Sequence, residues 1–419
     1  MTVEEIKKVV FVGGGTMGSF NSMVAAAAGY PVTVYDESPQ ALAALTDRQK
    51  AWGEVLIERW QMPRERIEQG LQNIQWTNDP AEAAADADLL SESVFERLEL
   101  KRRIHQRFDE LCPPKTIFTT NTSTLLLSDI ESAVRRGDRF AAMHFHQPNI
   151  LADLVAGPRT SPGTMDLLKR YIKSIGMTYV LLKKERAGYL HNAMYVAFLS
   201  TGLMLKVIGG LDIEEIDRSW MLSQKAEGGP FGSMDHVGFN VIVDAFEGQN
   251  DPDDPALKYK AAALDLFRPY LERGDLGQKT GKGFYSYPDP AFLNPGFLED
   301  KKENPLASKI LINSVLATAL TLVIEGAGDI RDIDRSWMIT HRPDIGPFGM
   351  IDEKGLDVFL AELEERAALD PLFALNFPVL SEYLKGYIER GELGMKTGQG
   401  FYTYPDPEFK NPDFILNSE

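Results

Sequence analysis

A chain of 419 residues is longer than one compact core supports and suggests two or three domains. Its 44% hydrophobic and 25% charged content is that of a folded globular protein, and 61 acidic against 44 basic residues give a net charge of -17, which argues against nucleic acid or an anionic membrane as partner. The single cysteine, Cys112, excludes an internal disulfide and fits a reducing, cytoplasmic setting.

The opening MTVEEIKKVVFVG passes from a short charged lead into a strand, without the basic and apolar segments of a secretory leader. The apolar runs VVFVG, VTVYD, ADLLSES, TIFTTN and FAAMHF then alternate with longer polar or helical segments. That alternation predicts an α/β Rossmann-like domain over residues 1–184, a doubly wound parallel sheet with crossover helices. From residue 185 helical patterns take over, and they come twice. RSWM at Arg218 recurs at Arg335, GPFG at Gly229 recurs at Gly346, and ERGDLGQKTGKGFYSYPDP recurs as ERGELGMKTGQGFYTYPDP, all 117 positions on. Two homologous all-α domains are therefore expected, 185–299 and 300–419, joined by the polar stretch NPGFLEDKKENP. Because GPFG and KTGxGFYxYP occur in both copies while the sheet domain occurs once, they read as architectural. The longest apolar helical stretch, around Met194 to Leu205, reads as too short and mixed to cross a bilayer.

Within VVFVGGGTMGSF, Gly13, Gly15 and Gly18 form a G-x-G-x-x-G turn between a strand and a helix, with Thr16 and Met17 opening that helix. Gly13 would permit the tight turn, Gly15 the approach of a pyrophosphate and Gly18 the packing of helix on strand. Asp36 ends the next strand 18 residues after Gly18, where an acid would bind the adenosine ribose; the other reading is a cap on the following helix. With Glu37 beside it, Asp36 disfavours a 2′-phosphate, so the cofactor is expected to be NAD.

Further along, Asn121 opens NTSTLLL after the strand TIFTT, placing Ser123 at a carboxyl edge. His144, in MHFHQPNILADLVAG, follows FAAM at a similar edge, and Asn192 lies on the first helix past residue 185. A histidine that removes a hydroxyl proton, with serine and asparagine on the same oxygen, suits oxidation of a secondary alcohol beside a nicotinamide. No metal site is expected.

These motifs, in this order and spacing, resemble the L-3-hydroxyacyl-CoA dehydrogenase family over nearly the whole chain. NTSTL stands for that family's NTSSL, MHFHQP for its HFFNP, and AGYLHNA for its PGFIVNR; GPFG, D-x-V-G and KTGxGFY follow, and Ser123 and His144 are 21 apart as in the family. The resemblance implies His144 as general base, Ser123 and Asn192 on the substrate oxygen, and Asp36 on the ribose. It also implies that Glu96 and Lys101, matching E-x-x-x-x-K in SVFERLELK, serve the cofactor region; without it they would read as a surface ion pair. The implied substrate is a 3-hydroxyacyl-CoA-like thioester. The alternatives are a small non-CoA 3-hydroxy acid or alcohol and a non-catalytic NAD-binding relative.

Two features depart from the family. The glutamate expected 12 residues after the histidine is Ala156; if ILADLVA is a strand, Asp153 faces away from that position, and only a bulge or altered register would bring it to His144. For CoA phosphates the segment after Asp36 offers only Arg48, Lys50, Arg59, Arg64 and Arg66, among several acids. One active site is expected, between the NAD domain and the first helical domain. The second helical domain should pack on the first about a pseudo-twofold axis, making a monomer as feasible as a homodimer. Its Asn313 should carry no chemistry.

Overall fold

The computed structural model describes residues 2–248, 257–299 and 302–416, so residues 300 and 301 of the linker stretch lie outside the described residues. By contact the chain forms two compact units. One comprises Met1–Leu190, Glu325–Thr340 and Phe409–Glu419; the other comprises His191–Ile324 and His341–Glu408.

The first unit is built on strands β1 Val9–Val12, β2 Val32–Tyr35, β3 Ile74–Thr77, β4 Leu89–Glu92, β5 Ile117–Thr120, β6 Phe140–Phe145, β7 Leu151–Ala156 and β8 Thr178–Leu182. They form one sheet in the order β3-β2-β1-β4-β5-β6-β7-β8. β1 pairs in parallel with both β2 and β4, so Gly13, Asp36 and Ser93 leave the sheet together at its carboxyl edge. The sheet is the expected doubly wound parallel one except at one pair, where β7 runs antiparallel to β6. A short connection allows this, because strands joined by a few residues can only turn back. β3 lacks an apolar run because it is an edge strand, with Trp76 54% exposed.

The crossover and covering helices are α1 Thr16–Ala27, α2 Pro39–Ala43, α3 Leu45–Trp60, α4 Arg64–Gln72, α5 Pro80–Ala84, α6 Leu98–Leu111, α7 Leu127–Glu131 and α8 Pro162–Ser174. α1 is buried on every side from Gly18 to Ala27, since it lies between the sheet and α3 and α4. That is why its sequence is small and apolar without an amphipathic stripe.

The rest of the chain contributes α9 His191–Val207, α10 Ile213–Gln224, α11 Pro230–Val237, α12 Phe239–Gly248 and α13 Leu257–Arg273, then α14 Pro305–Ile324, α15 Ile330–His341, α16 Pro347–Lys354, α17 Leu356–Leu369 and α18 Pro371–Glu389. Inside the second unit α9 packs along α14, the corresponding helix of the later set. This explains α14, which the sequence reading passed over. It is long and apolar enough by length and composition to cross a membrane, yet 61% of its apolar window is buried within the protein.

The recurring loop motifs are knots around buried acids. Asp235 accepts hydrogen bonds from Phe284 N, Tyr285 N and the Tyr287 hydroxyl at 2.8, 2.8 and 3.0 Å. Asp352 does the same with Phe401 N, Tyr402 N and the Tyr404 hydroxyl at 2.9, 2.8 and 3.0 Å. A side chain on Gly283 or Gly400 would lie 2.0 or 2.1 Å from the corresponding carboxylate oxygen, which is why glycine ends the K-T-G-x-G turn in both sets.

Most of α15 belongs to the first unit, where it meets β8. Leu181 N donates to Asp332 (3.0 Å), Lys183 N to Ala327 O (2.9 Å), and Arg335 Nη1 to Tyr179 O (3.0 Å). Arg335 also holds Phe414 O and Ile415 O, at 2.9 and 3.0 Å, so the end of the chain is fastened to the same place.

Candidate active site

The glycine turn has the geometry its sequence implied. Gly13 has φ +109°, and a side chain there would meet Ser93 O at 2.7 Å; one on Gly18 would meet Gly13 O at 1.8 Å. Gly15 instead faces open space, and with Thr16 it is exposed at the start of α1. Backbone N–H groups and the positive end of the helix dipole are thus presented where a pyrophosphate would lie. The Asp36 carboxylate takes Gly14 N at 2.7 Å and Ser38 N at 2.8 Å, joining the glycine turn to the end of β2 while keeping lone pairs for a ribose. The cap of α2 is Ser38, not Asp36.

At the other end of this edge stand His144, Asp153 and His146. β6 and β7 pair His144 directly with Asp153, and directly opposed residues point to the same side of the sheet. His144 Nδ1 lies 3.0 Å from Asp153 Oδ2. The expectation built on Ala156 is corrected here: Ala156 pairs with Ala141, and no bulge is needed. This register sets which residue faces the histidine, and that position falls nine residues on, at an aspartate. His146 lies two residues beyond His144, on the same side, and its Nε2 is 2.6 Å from the same Oδ2.

Asp153 is fully buried; burial alone would raise its carboxyl, but His146 and His144 hold it well below the carboxylate range. As a carboxylate it only accepts, so His144 must carry its proton on Nδ1 and present a lone pair at Nε2. Burial lowers the His144 imidazole, which keeps that lone pair available; Asp153 opposes the shift and His146 adds to it. His144, His146 and Asp153 offer three ligand atoms within 4.8 Å of one another, a set with metal-binding chemistry. One carboxylate oxygen accepting from two ring N–H groups accounts for the same grouping.

Ser123 is held by Glu96. That carboxylate accepts from Ser123 N and Thr124 N, both at 3.0 Å, and from the Thr122 hydroxyl at 2.5 Å. Lys101 is 1% exposed and ion-paired with Glu96 at 3.2 Å and Glu92 at 2.8 Å, so the surface-pair reading is corrected. Burial raises the Glu92 carboxyl, but Lys101 and His105 outweigh it and bring it down to about 2. The buried Glu92 and its partners were missed because SES reads only as the end of a strand. Asn121 Oδ1 takes Phe145 N at 2.9 Å, tying the Ser123 loop to the residue after His144. Tyr189, also missed, puts its ring 5.5 Å from that of His144.

Asn192 begins the second unit on α9, half-buried, with Oδ1 3.2 Å from His191 Nδ1. Asn313 is instead committed to Glu362 and Lys354, at 2.9 and 3.0 Å. Of the basic candidates after Asp36, Arg64 is paired with Glu54 and Arg48 with Gly14 O, while Lys50, Arg59 and Arg66 are exposed. Cys112 is buried and its thiol is pushed up to about 12, which is not the state of a nucleophile.

The 3-hydroxyacyl-CoA dehydrogenase NAD-binding domain model matches residues 8–186, and the C-terminal domain model of the same family matches residues 188–287 and again 308–404. The mitochondrial hydroxyacyl-coenzyme A dehydrogenase of Rattus norvegicus is 31% identical over 296 residues, which is 67% of this chain and 91% of that protein. A diketoreductase structure, described for dicarbonyl compounds, is 36% identical with a TM-score of 0.61, covering 67% of this chain and 99% of that one. The 3-hydroxybutyryl-CoA dehydrogenase of Escherichia coli, 20% identical with a TM-score of 0.72, covers 91% of this chain and 100% of its own and shares the fold. With the glycine turn and Asp36 in place, the chain is an NAD-dependent oxidoreductase acting on a secondary alcohol, and it belongs to the 3-hydroxyacyl-CoA dehydrogenase family.

Proposed function

We propose that the protein interconverts the 3-hydroxyl and 3-keto groups of a 3-hydroxyacyl thioester, with His144 as the base. The observation that carries this is the His144–Asp153 hydrogen bond, which leaves Nε2 unprotonated and aimed away from its carboxylate. The glycine turn and Asp36 would hold NAD, which would supply the hydride acceptor for the carbinol carbon. His144 Nε2 takes the hydroxyl proton as the C=O bond forms, and Asp153 stabilises the imidazolium that results. Ser123 donates to the same oxygen, and Glu96 keeps the Ser123 loop in place; Asn192 keeps the substrate-donor role that the family resemblance implies, and Gly13, Gly15, Thr16, Met17, Gly18, Asp36, Lys101 and Asn121 shape or hold the cofactor region. The repeated match of the C-terminal domain model supports a tandem duplication, in which one chain supplies both helical copies and a monomer suffices. The lone, buried cysteine suits a cytoplasmic setting.

A second reading, a small non-CoA 3-hydroxy or dicarbonyl substrate, is favoured by the 36% identity to a diketoreductase and by the engagement of Arg48 with Gly14 O and of Arg64 with Glu54. NADH formation with 3-hydroxybutyryl-CoA, then with free 3-hydroxy acids, decides between them. Turnover confined to the free acids would remove the thioester reading, and turnover with neither would remove both.

A further inference from the structure

Asn192 is the first link of a chain of side chains that ends in the later helical set. Its Oδ1 faces His191 Nδ1 at 3.2 Å, and His191 Nε2 lies 3.1 Å from Nε2 of His341, the last residue of α15. All three residues belong to the second unit. The two imidazoles are held in an aromatic nest. The His191 ring stacks on Tyr195 at 5.4 Å and 22°, His341 lies 5.7 Å from Tyr195, and Phe198 beside them packs on Trp220 at 4.4 Å. An amide oxygen only accepts, so His191 must donate from Nδ1; when neutral it then has only a lone pair at Nε2, which needs a donor. His341 supplies it, because burial pushes its imidazole down to about 3 and a neutral ring keeps one N–H to give.

We infer that His341 is a positioning residue for the dehydrogenase reaction: through His191 it fixes the Asn192 amide with its oxygen inward and its N–H groups free for the substrate oxygen. This rests on the reading of Asn192 as a substrate-oxygen donor. It gives the later helical set a part in the chemistry although that set has no nucleotide turn. The position 117 residues earlier is Gln224, whose amide donates to Ser223 Oγ at 3.4 Å, so the histidine distinguishes the two sets.

The test is steady-state kinetics of the full-length chain with NAD and whichever hydroxy substrate it turns over, for Asn192→Ala, His341→Phe, His341→Gln and His341→Ala. Asn192→Ala should lower kcat on the order of 10²-fold. His341→Phe should lower it on the order of tenfold with the KM for NAD unchanged. His341→Gln, which restores a donor, should return most of the rate, and added imidazole should do the same for His341→Ala. Parental kcat in His341→Phe, or equal damage in the Gln and Phe variants, overturns the positioning role while Asn192→Ala remains impaired. An unimpaired Asn192→Ala overturns the reading beneath it. Should the Phe variant not fold, the His341→Gln rate and imidazole rescue of His341→Ala decide alone, and failure of both rejects the inference.

Discussion

Two kinds of buried carboxylate occupy different regions of this molecule. On the sheet edge, Asp153 is held by two imidazoles; in the helical loops, Asp235 and Asp352 are held by backbone N–H groups and tyrosine hydroxyls. Their surroundings push them in opposite directions. Burial acts on all three to raise the carboxyl, but the histidines reverse it for Asp153, whereas neutral donors leave Asp235 and Asp352 raised. A carboxylate paired with a group that can itself gain a proton can serve proton transfer; one enclosed by neutral donors fixes a loop.

That contrast breaks most plainly at Asp153. Asp153→Asn should lower kcat per folded molecule about 10²- to 10³-fold, because the amide no longer enforces the Nδ1–H tautomer, a loss of rate far beyond what its loss of stability accounts for. Asp235→Ala and Asp352→Ala should do the reverse. Each strands two backbone donors and a tyrosine hydroxyl and should cost about 3 kcal/mol in denaturant unfolding, with the rate per folded molecule kept. A large kcat loss at constant stability in either loop variant would erase the distinction.

His146→Phe sharpens it. Without the second imidazole on Oδ2, the His144 imidazole loses a neighbour that lowers it, so the acid limb of kcat/KM should move to higher pH, with kcat changed by only a few-fold. An unmoved limb would mean that His146 does not share the carboxylate in solution. The smallest effect is on pH-dependent stability. Asp235 has its folded value raised above the usual 3.8, so the folded state holds that proton more tightly. Its contribution is complete below 3.8 and fades as pH rises through the folded value. Asp153 and Glu92 act oppositely, contributing above their ordinary values and losing that contribution as pH falls. Unfolding series from pH 3 to 7 (about) should therefore be flatter on the neutral side in Asp235→Ala than in the parent.

Much of the fold was legible because its signals are local. The apolar runs, the glycine turn and the shift of 117 positions each lie in contiguous sequence, and the sheet, α1 and the paired knots follow them. The site was legible in part. His144, Ser123 and Asp36 sit at strand ends that can be found by pattern, but the partner of His144 is set by cross-strand register, and counting along the family's spacing pointed to Ala156. Lys101 shows the same limit, since its two acids come from β4 and the loop after it, and burial is what turns an ordinary helix pair into a scaffold for Ser123. The role of His341 depends on a contact across 150 residues, which no local pattern announces.

The fastening of β8 has a consequence for solubility. An outermost strand with open backbone groups is a template for another chain. Here the groups of Tyr179, Leu181 and Lys183, alternate residues that face outward from the sheet, are each taken by residues between Ala327 and Arg335. Arg335 in turn depends on the carbonyls of Phe414 and Ile415. Phe414 and Ile415 thus help to keep this edge of the sheet closed, and truncation after residue 408 should promote self-association through β8 before the helices are lost.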